Sequence, residues 1–158
     1  HSSHRRQRQM CIRDRDKNDI SRGASPGNRF EPGKKPMSTM APTIIFDENN
    51  ELFLITGSPG GSDIPAAILR VITGVIDFDL DIGEATMLPR IHKDWPYVGL
   101  EHERAVSRDI VRRLKGMGHE TEYENTIGST QSIHIINGVN YGYADLRRPN
   151  ASVSVQSN

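Results

Sequence analysis

Apolar residues recur at helical spacing shortly after a run of glycines near the middle of the chain. They follow the i, i+3, i+4, i+7 spacing of a single helix face: Ile64, Ala67, Ile68, Val71, Ile72, Val75 and Ile76. A stripe of this kind predicts an amphipathic helix that packs on a core. Ser62 or Asp63 is expected to cap its first turn, and Pro65 lies where a missing N–H is tolerated.

Two short apolar runs precede this helix and predict a β-hairpin. The strands are residues 43–46 and 51–56, and the polar residues 47–50 form the turn between them. Residues 57–61, with the sequence Gly-Ser-Pro-Gly-Gly, then lead from the second strand into the helix. Because the two strands have similar lengths, the chain before the first and after the second should leave the sheet at the same edge.

The second half of the chain predicts further helices and strands. A short helix is expected over residues 81–86, and a longer one begins at Ser107 and ends at Met117. The apolar residues expected to face inward on the longer helix are Ile110, Val111 and Leu114. The strands that follow are residues 120–124, 132–136 and 139–143, the last two joined by an Asn-Gly pair that favours a type I′ turn. The predicted fold class is therefore α/β, with helices layered on sheets (α+β layered).

The Gly60-Gly61 pair carries the strongest candidate chemistry. A strand, a tight turn and a helix start together expose backbone N–H groups at the positive end of a helix dipole, which suits an anion or a developing oxyanion. Glycine has no Cβ, so a substrate can approach the main chain closely. A phosphate-binding P-loop is excluded, because Gly61 is followed by Ser62 and Asp63 instead of Lys and Ser or Thr. A glycine turn before a helix is most often only a turn.

Ser38 and Thr39 are expected beside these glycines, because the hairpin brings both segments to one edge of the sheet. Two hydroxyls opposite two amides would hold a carboxylate and an oxyanion. The alternative is that both hydroxyls only satisfy the backbone of a local turn.

Length and composition indicate one domain, or a large part of one, with a modest core: 158 residues, of which 35% are hydrophobic. The net charge of zero combines +3 in residues 1–19 with −3 in the remainder, and nothing beyond residue 20 resembles a nucleic-acid surface. No apolar run is long enough to span a membrane. The one cysteine, Cys11, excludes an internal disulfide. The histidines lack paired ligand spacing, so no metal and no cofactor is assigned.

Residues 1–29 have the character of a disordered leader, and a non-native origin is suspected. Their arginine-rich start lacks apolar periodicity and resembles translated sequencing adapter, and a Gly/Ser/Pro linker follows over residues 21–28. A basic arm for nucleic acid is the alternative. The predicted organisation is a leader over 1–29, a folded region over 30–149 and a flexible tail over 150–158.

A series of short segments, in order along the chain, carries more specific information. Residues 32–43 form a segment rich in proline that contains Ser38 and Thr39, and residues 56–65 contain the glycine pair and Ile64-Pro65. Further segments are Val75–Phe78, Glu84–Thr86, Pro89–His92, Gly128–Ser132, Gly142–Asp145 and Arg147–Pro149. Together they resemble the γ-glutamyltransferase (glutathione hydrolase) family, specifically the C-terminal part of its small subunit, over about residues 30–149.

The resemblance implies a partial N-terminal-nucleophile hydrolase fold, an αββα sandwich. It implies an enzyme that is made as one chain and cuts itself into a large and a small subunit. The new N-terminal Thr of the small subunit attacks a γ-glutamyl amide such as glutathione, with its own α-amine as base. The acyl group then passes to water or to an acceptor amino acid or peptide. Related bacterial enzymes are mostly periplasmic or extracellular, so the same location is expected.

Carried over position by position, the resemblance places the γ-glutamyl α-carboxylate on Ser38 and Thr39. It places the oxyanion hole at the backbone N–H groups of Gly60 and Gly61. The family usually has two serines, so Thr39 is a departure that keeps the hydroxyl.

The nucleophilic Thr of the family has no counterpart in this sequence. In the family it lies well before the serine pair in a Thr-Thr-His context, whereas the 37 residues that precede Ser38 contain no Thr. The resemblance therefore implies a fragment with half of an active site, inactive alone, which lacks the upstream small-subunit part and the large subunit. In such a piece the apolar stripe from Ile64 to Ile76 is expected to lack its partner.

Two alternatives remain open. The chain can be a non-catalytic α/β module that binds a small carboxylate, which the missing Thr favours. It can also be part of a related acylase of the same fold that cleaves other amides, since such enzymes share the turn with two glycines, which is Gly60-Gly61 here and is called the diglycine turn below.

Overall fold

The computed structural model describes residues 32–33, 38–94, 99–149 and 151–154. The leader predicted over 1–29 lies outside the described residues, as does part of the tail predicted over 150–158. The strands are β1 (Thr43–Phe46), β2 (Leu52–Gly57), β3 (Ile91–His92), β4 (Gly99–His102), β5 (Glu120–Tyr123), β6 (Gln131–Ile136) and β7 (Val139–Ala144). The helices are α1 (Asp63–Ile76), α2 (Ile82–Met87) and α3 (Arg108–Gly116). The predicted hairpin, helices and later strands are confirmed, whereas β3 and β4 lie in a stretch whose pattern does not predict them.

The first sheet has four strands in the order β1-β2-β6-β7, and all neighbouring strands are antiparallel. Helices α1 and α2 cover one of its faces. The core between sheet and helices is made by five side chains that are at most 6% exposed: Leu54, Val71, Val75, Ile82 and Ala85. Burial of such apolar surface is the main force that holds the layers together. The layered α+β class predicted from the sequence is confirmed.

Helix α1 buries the predicted stripe along most of its length. Its most enclosed residues are no more than 5% exposed: Ile64, Ala67, Ile68, Val71 and Val75. The expectation that this stripe lacks a partner is wrong, because α2 and the first sheet cover it, and only its last residue, Ile76, is half exposed. Ser62 occupies the N-cap position but its side chain makes no cap hydrogen bond, so of the two predicted capping residues Ser62 is not one. Pro65 is the third helical residue, where the N–H has no partner within the helix.

The opposite face of the first sheet carries a row of isoleucines. Ile44, Ile55 and Ile133 are cross-strand partners on adjacent strands, and Ile44 and Ile133 are 59% and 39% exposed. Gly142 continues the row on β7, and Val153 lies over it, since a Cβ added at Gly142 would be 2.9 Å from the Val153 Cγ1. This isoleucine row is thus an apolar surface that the described residues leave partly open, unlike the stripe on α1.

A second, smaller sheet has the strand order β3-β4-β5, with β3 antiparallel and β5 parallel to β4. Helix α3 packs beside β5, and the Ser107 Oγ accepts the N–H of Ile110 at 3.3 Å as the predicted N-cap. Ile110 is 49% exposed, so the expectation that it faces inward is wrong. The described part of the chain leaves that side of α3 uncovered. No helix within the described ranges has the length and apolar character needed to cross a membrane.

Candidate active site

The diglycine turn adopts a backbone conformation that glycine takes most readily. Gly60 and Gly61 have φ angles of 141° and 64°, which side chains disfavour. Their carbonyls accept hydrogen bonds from the N–H groups of Asp63 and Ile64, each at 3.3 Å, where α1 begins. Within the described residues, no hydrogen bond uses the N–H of either glycine. Two backbone donors therefore lie unused at the positive end of a 14-residue helix.

A second loop, residues 127–130, packs on the diglycine turn, and we call it the supporting loop. A Cβ added at Gly60 would lie 3.3 Å from the Cα of Gly128. A Cβ added at Gly128 would lie 2.7 Å from the Cβ of Ala67 on α1. Because the two loops approach each other through bare main chain, a side chain at either glycine would push them apart.

Ser58 joins the two loops by hydrogen bonds. Its Oγ accepts the N–H of Ser129 at 2.9 Å and donates to the carbonyl of Pro59 at 2.7 Å. One hydroxyl therefore fixes the supporting loop and the residue just before the glycine pair at the same time.

A buried arginine holds the supporting loop from behind. Arg90 is 1% exposed, and its Nη1 donates to the carbonyl of Ile127 at 2.9 Å. Its Nη2 donates to the Asp145 Oδ2 at 2.8 Å and to the Thr130 Oγ1 at 3.1 Å. Asp145 is 0% exposed and also accepts the N–H of Thr130 at 3.0 Å. Both ends of the supporting loop are therefore tied to one buried ion pair.

Arg147 and Glu103 complete an ionic network with Arg90 and Asp145. The Nε and Nη2 of Arg147 donate to the two carboxylate oxygens of Glu103, each at 2.7 Å, and its Nη1 donates to the Asp145 Oδ1 at 3.2 Å. Glu103 also accepts the N–H groups of Arg90 at 2.9 Å and of Ile127 at 3.1 Å. Two cations and two anions thus compensate one another in the interior, which offsets their cost of desolvation.

The network shifts the pKa of each of its members. Although burial opposes ionisation, hydrogen bonds from Arg147 and from the amides of Arg90 and Ile127 lower the pKa of Glu103. Against the same opposing effect of burial, the N–H of Arg147 and the charge of Arg90 lower the pKa of Asp145. Burial and the charge of Arg147 lower the pKa of Arg90, while Glu103 and Asp145 raise that of Arg147 despite its burial. Both carboxylates are therefore ionised at neutral pH.

The chain enters β1 at the edge of the first sheet where it leaves β2 for the diglycine turn, because Thr43 is the cross-strand partner of Thr56. Ser38 and Thr39 precede β1 in the chain. The Ser38 side chain is exposed, and its Oγ accepts the N–H of Met40 at 3.2 Å, which is a local turn contact. Thr39 is partly buried. Among the described residues, no hydrogen bond joins either side chain to the diglycine turn. Their binding role therefore stays a prediction.

The sequence analysis gave no role to the supporting loop or the ionic network. Arg90, Asp145 and Arg147 lie in segments that carry the family resemblance. Each is also a charged residue beside an apolar strand or helix, and this pattern is the sequence signal that could have pointed to them. Glu103 had no such signal, since its partner Arg147 lies 44 residues away.

The comparisons with known proteins point to one family. The sequence matches the Gamma-glutamyltranspeptidase family over residues 7–155. The glutathione hydrolase proenzyme of Escherichia coli is 38% identical over 121 residues, which cover 76% of this chain and 21% of that protein. The glutathione hydrolase proenzyme of Bacillus subtilis is 35% identical over 137 residues, which cover 84% of this chain and 23% of that protein. A solved structure of a Helicobacter pylori γ-glutamyltranspeptidase mutant aligns with a TM-score of 0.73 at 36% identity, over 78% of this chain and 69% of that one.

The chain spans 21% and 23% of the length of these two curated relatives, both of which are named proenzymes. Its fold is that of the N-terminal-nucleophile hydrolases, of which the described residues show a helix layer and a sheet layer. The family match includes the diglycine turn, the supporting loop and the ionic network. The chain belongs to the γ-glutamyltranspeptidase family of hydrolases and transferases.

Proposed function

We propose that this chain is the C-terminal part of the small subunit of an enzyme that cleaves γ-glutamyl amides such as glutathione. The γ-glutamyl group passes to water or to an acceptor amino acid or peptide. The observation that carries the proposal is the pair of N–H groups at Gly60 and Gly61, which no described group uses and which lie where α1 begins. Donors held in a rigid turn stabilise an oxyanion without having to reorganise.

In the proposed reaction, the hydroxyl of a Thr attacks the γ-carbonyl carbon of the substrate, and its proton passes to the α-amine of the same Thr. The carbonyl electrons move onto oxygen, and this oxyanion accepts hydrogen bonds from Gly60 and Gly61. Collapse of the tetrahedral species expels the amine, which takes up the proton, and leaves a γ-glutamyl ester on the Thr. Water or an acceptor amine then attacks the ester and frees the Thr.

Ser38 and Thr39 bind the α-carboxylate of the γ-glutamyl group in this proposal. Their place in the chain shortly before β1, which begins opposite the end of β2, supports it. A contact with a part of the substrate that does not react is made equally in the ground state and the transition state, so it contributes to binding more than to the rate of the chemical step.

The Thr nucleophile and the other half of the site come from a preceding part of the small subunit and from a large subunit. The share of each relative that the chain covers supports this. The isoleucine row (Ile44, Ile55 and Ile133), in which Ile44 and Ile133 are exposed, fits a face that a sheet from the preceding part of the enzyme covers in the αββα sandwich. The chain by itself is then inactive, and a periplasmic or extracellular location belongs to the same proposal.

The non-catalytic module and the related acylase are less well supported. Relatives at 35% and 38% identity are named glutathione hydrolase proenzymes, and their names favour γ-glutamyl amides over other amides.

The test compares the 158-residue chain with a restored proenzyme, in which this chain from residue 30 onward replaces the matching part of the Escherichia coli proenzyme. Both are assayed with a chromogenic γ-glutamyl anilide. We expect the restored proenzyme to cleave itself and release product, and the chain alone to do neither. A restored protein that cleaves itself but leaves the substrate intact would refute the proposed role. Product from the chain alone, above a buffer blank, would refute the missing nucleophile.

A fusion that fails to fold would give no information, so a second restored version is built on the Bacillus subtilis proenzyme, which is 35% identical to this chain. Self-cleavage, seen as two bands on a denaturing gel, reports folding independently of turnover.

A further inference from the structure

Three side chains with metal-ligand chemistry meet beside the start of α1. His92 on β3 and Glu101 on β4 are cross-strand partners, so their side chains lie on the same face of the second sheet. Asp63, the first residue of α1, faces them. One nitrogen of His92 and one carboxylate oxygen from each acid all lie within 4.8 Å of one another. The sequence analysis assigned no metal, because the histidines show no paired ligand spacing.

The imidazole of His92 is the observation that points to a ligand. The side chain is 10% exposed, and its Nε2 is enclosed with no hydrogen-bond partner within the described residues. The nearest acceptors are the Oδ1 atoms of Asp94 at 3.6 Å and of Asp63 at 3.7 Å, which are beyond hydrogen-bond length. A buried polar atom without a hydrogen bond is unfavourable, so the arrangement favours an occupant that this nitrogen can bind.

The spacing of these atoms fits an ion between them. Ligands that each lie about 2.1 Å from a tetrahedral zinc ion are about 3.4 Å from one another. The 3.6 and 3.7 Å separations around the His92 Nε2 are close to this value. The ligand atoms of His92, Glu101 and Asp63 lie within 4.8 Å of one another, so the cluster would contract when all three bind one ion.

The charges around the cluster favour a cation. The two acids of the cluster, Glu101 and Asp63, have carboxylate oxygens within 4.8 Å of each other, and the Oδ1 of a third acid, Asp94, lies 3.6 Å from the His92 Nε2. A divalent ion at this position would relieve the repulsion among the carboxylates.

We propose that His92, Glu101 and Asp63 bind one divalent transition-metal ion of the zinc class, with Asp94 within reach as a fourth ligand. An imidazole nitrogen among carboxylate oxygens suits zinc or its neighbours, whereas calcium and magnesium prefer oxygen ligands alone. The ion links β3 and β4 to the first turn of α1, two residues after Gly61. It therefore acts on the position of the diglycine turn and takes no part in the acyl-transfer chemistry.

Metal binding is measured directly, with Zn²⁺ in calorimetry and with Co²⁺ as a visible-absorption probe, after chelator treatment. The 158-residue chain and the restored proenzyme are both used, as wild type, His92→Gln, Glu101→Gln and His119→Gln. His119→Gln is the matched control, because His119 lies outside the cluster. We expect one ion per wild-type chain and per control chain, and at least about a hundredfold weaker binding in the two cluster variants.

Binding that is absent, or equal in wild type and His92→Gln, would overturn the proposal. Circular dichroism shows whether each variant has folded, and Glu101→Gln carries the test if His92→Gln has not. If the cluster only forms ion pairs, both variants change the stability while no form takes up metal, and that result also overturns it. Turnover is not used as a readout, so failure here leaves the proposed reaction untouched.

Discussion

Replacing Asp145 by Asn tests whether the ionic network holds the supporting loop. Asp145 and Arg90 are 0% and 1% exposed, and Asp145 accepts from Arg90, Thr130 and Arg147. Asn lacks the negative charge of Asp. In either orientation of its amide, the NH₂ group faces an N–H donor, so the hydrogen bonds on that side are lost. Breaking a buried ion pair in this way costs about 3–5 kcal/mol. We use the lower value, since the Asn oxygen still accepts the hydrogen bonds on its own side, either those from Arg90 and Thr130 or those from Arg147.

The matched control is Asp109→Asn, which removes the same charge from an ion pair with Arg112 at 3.0 Å. Both side chains of that pair are nearly 80% exposed, so about 0–1 kcal/mol is expected. Native-state hydrogen exchange on the restored proenzyme measures both effects locally. A loss of about 3 kcal/mol lowers the protection of the Thr130 amide and of β6 about a hundredfold. Equal protection in the two variants would show that the network does not hold the loop.

Three further results are expected in the restored proenzyme. Ser58→Ala leaves the N–H of Ser129 without its acceptor and should lower kcat by loosening the diglycine turn. The control is Ser62→Ala, which should keep its kcat because the Ser62 side chain, next to the turn, makes no cap hydrogen bond. Equal kcat values in the two variants would refute this. Ser38→Ala should raise KM more than it lowers kcat, and Thr39→Ser should leave both nearly unchanged; an unaltered KM in Ser38→Ala contradicts the assignment. The stability that ionised Glu103 contributes should be complete above its ordinary pKa of 4.5 and be lost as the pH falls through its lowered pKa. The unfolding free energies of wild type and Glu103→Gln should therefore converge only in acid. A difference in unfolding free energy that stays constant down to low pH contradicts this.

Features that depend on a short stretch of sequence were predicted correctly. The hairpin of β1 and β2, the apolar stripe of α1 and the Asn137-Gly138 turn, whose φ angles are both positive at 50° and 75°, follow from local pattern and turn chemistry. The diglycine turn was found for the same reason, because a strand, two glycines and an amphipathic helix are adjacent in the chain.

Features that depend on distant contacts were not predicted. Ser58 and Ser129 are 71 residues apart, and Arg90 and Asp145 are 55 apart, so no local pattern reveals that they meet. The same limit explains the error at α1, whose apolar stripe indicates a partner but does not say which element supplies it. Half of the candidate site, the turn itself, was therefore readable, and the loop that supports it was not.

The central claim, that the diglycine turn stabilises the transition state, is tested most directly by Gly61→Val in the restored proenzyme. Valine is strongly disfavoured at the φ of 64° that Gly61 adopts, so the turn must rearrange and its amides must move. The matched control is Gly118→Val, because Gly118 also has a positive φ, of 91°, and an added Cβ at either position meets nothing within 4 Å.

The measurement is kcat and KM with the chromogenic γ-glutamyl anilide, on enzyme that has already cleaved itself. We predict a fall in kcat on the order of a hundredfold for Gly61→Val, by analogy with the loss of one oxyanion donor, and little change in KM. Gly118→Val should keep nearly full activity, since it strains only the end of the exposed helix α3. A Gly61→Val enzyme that changed only in KM, or that lost no more kcat than the control, would contradict the account.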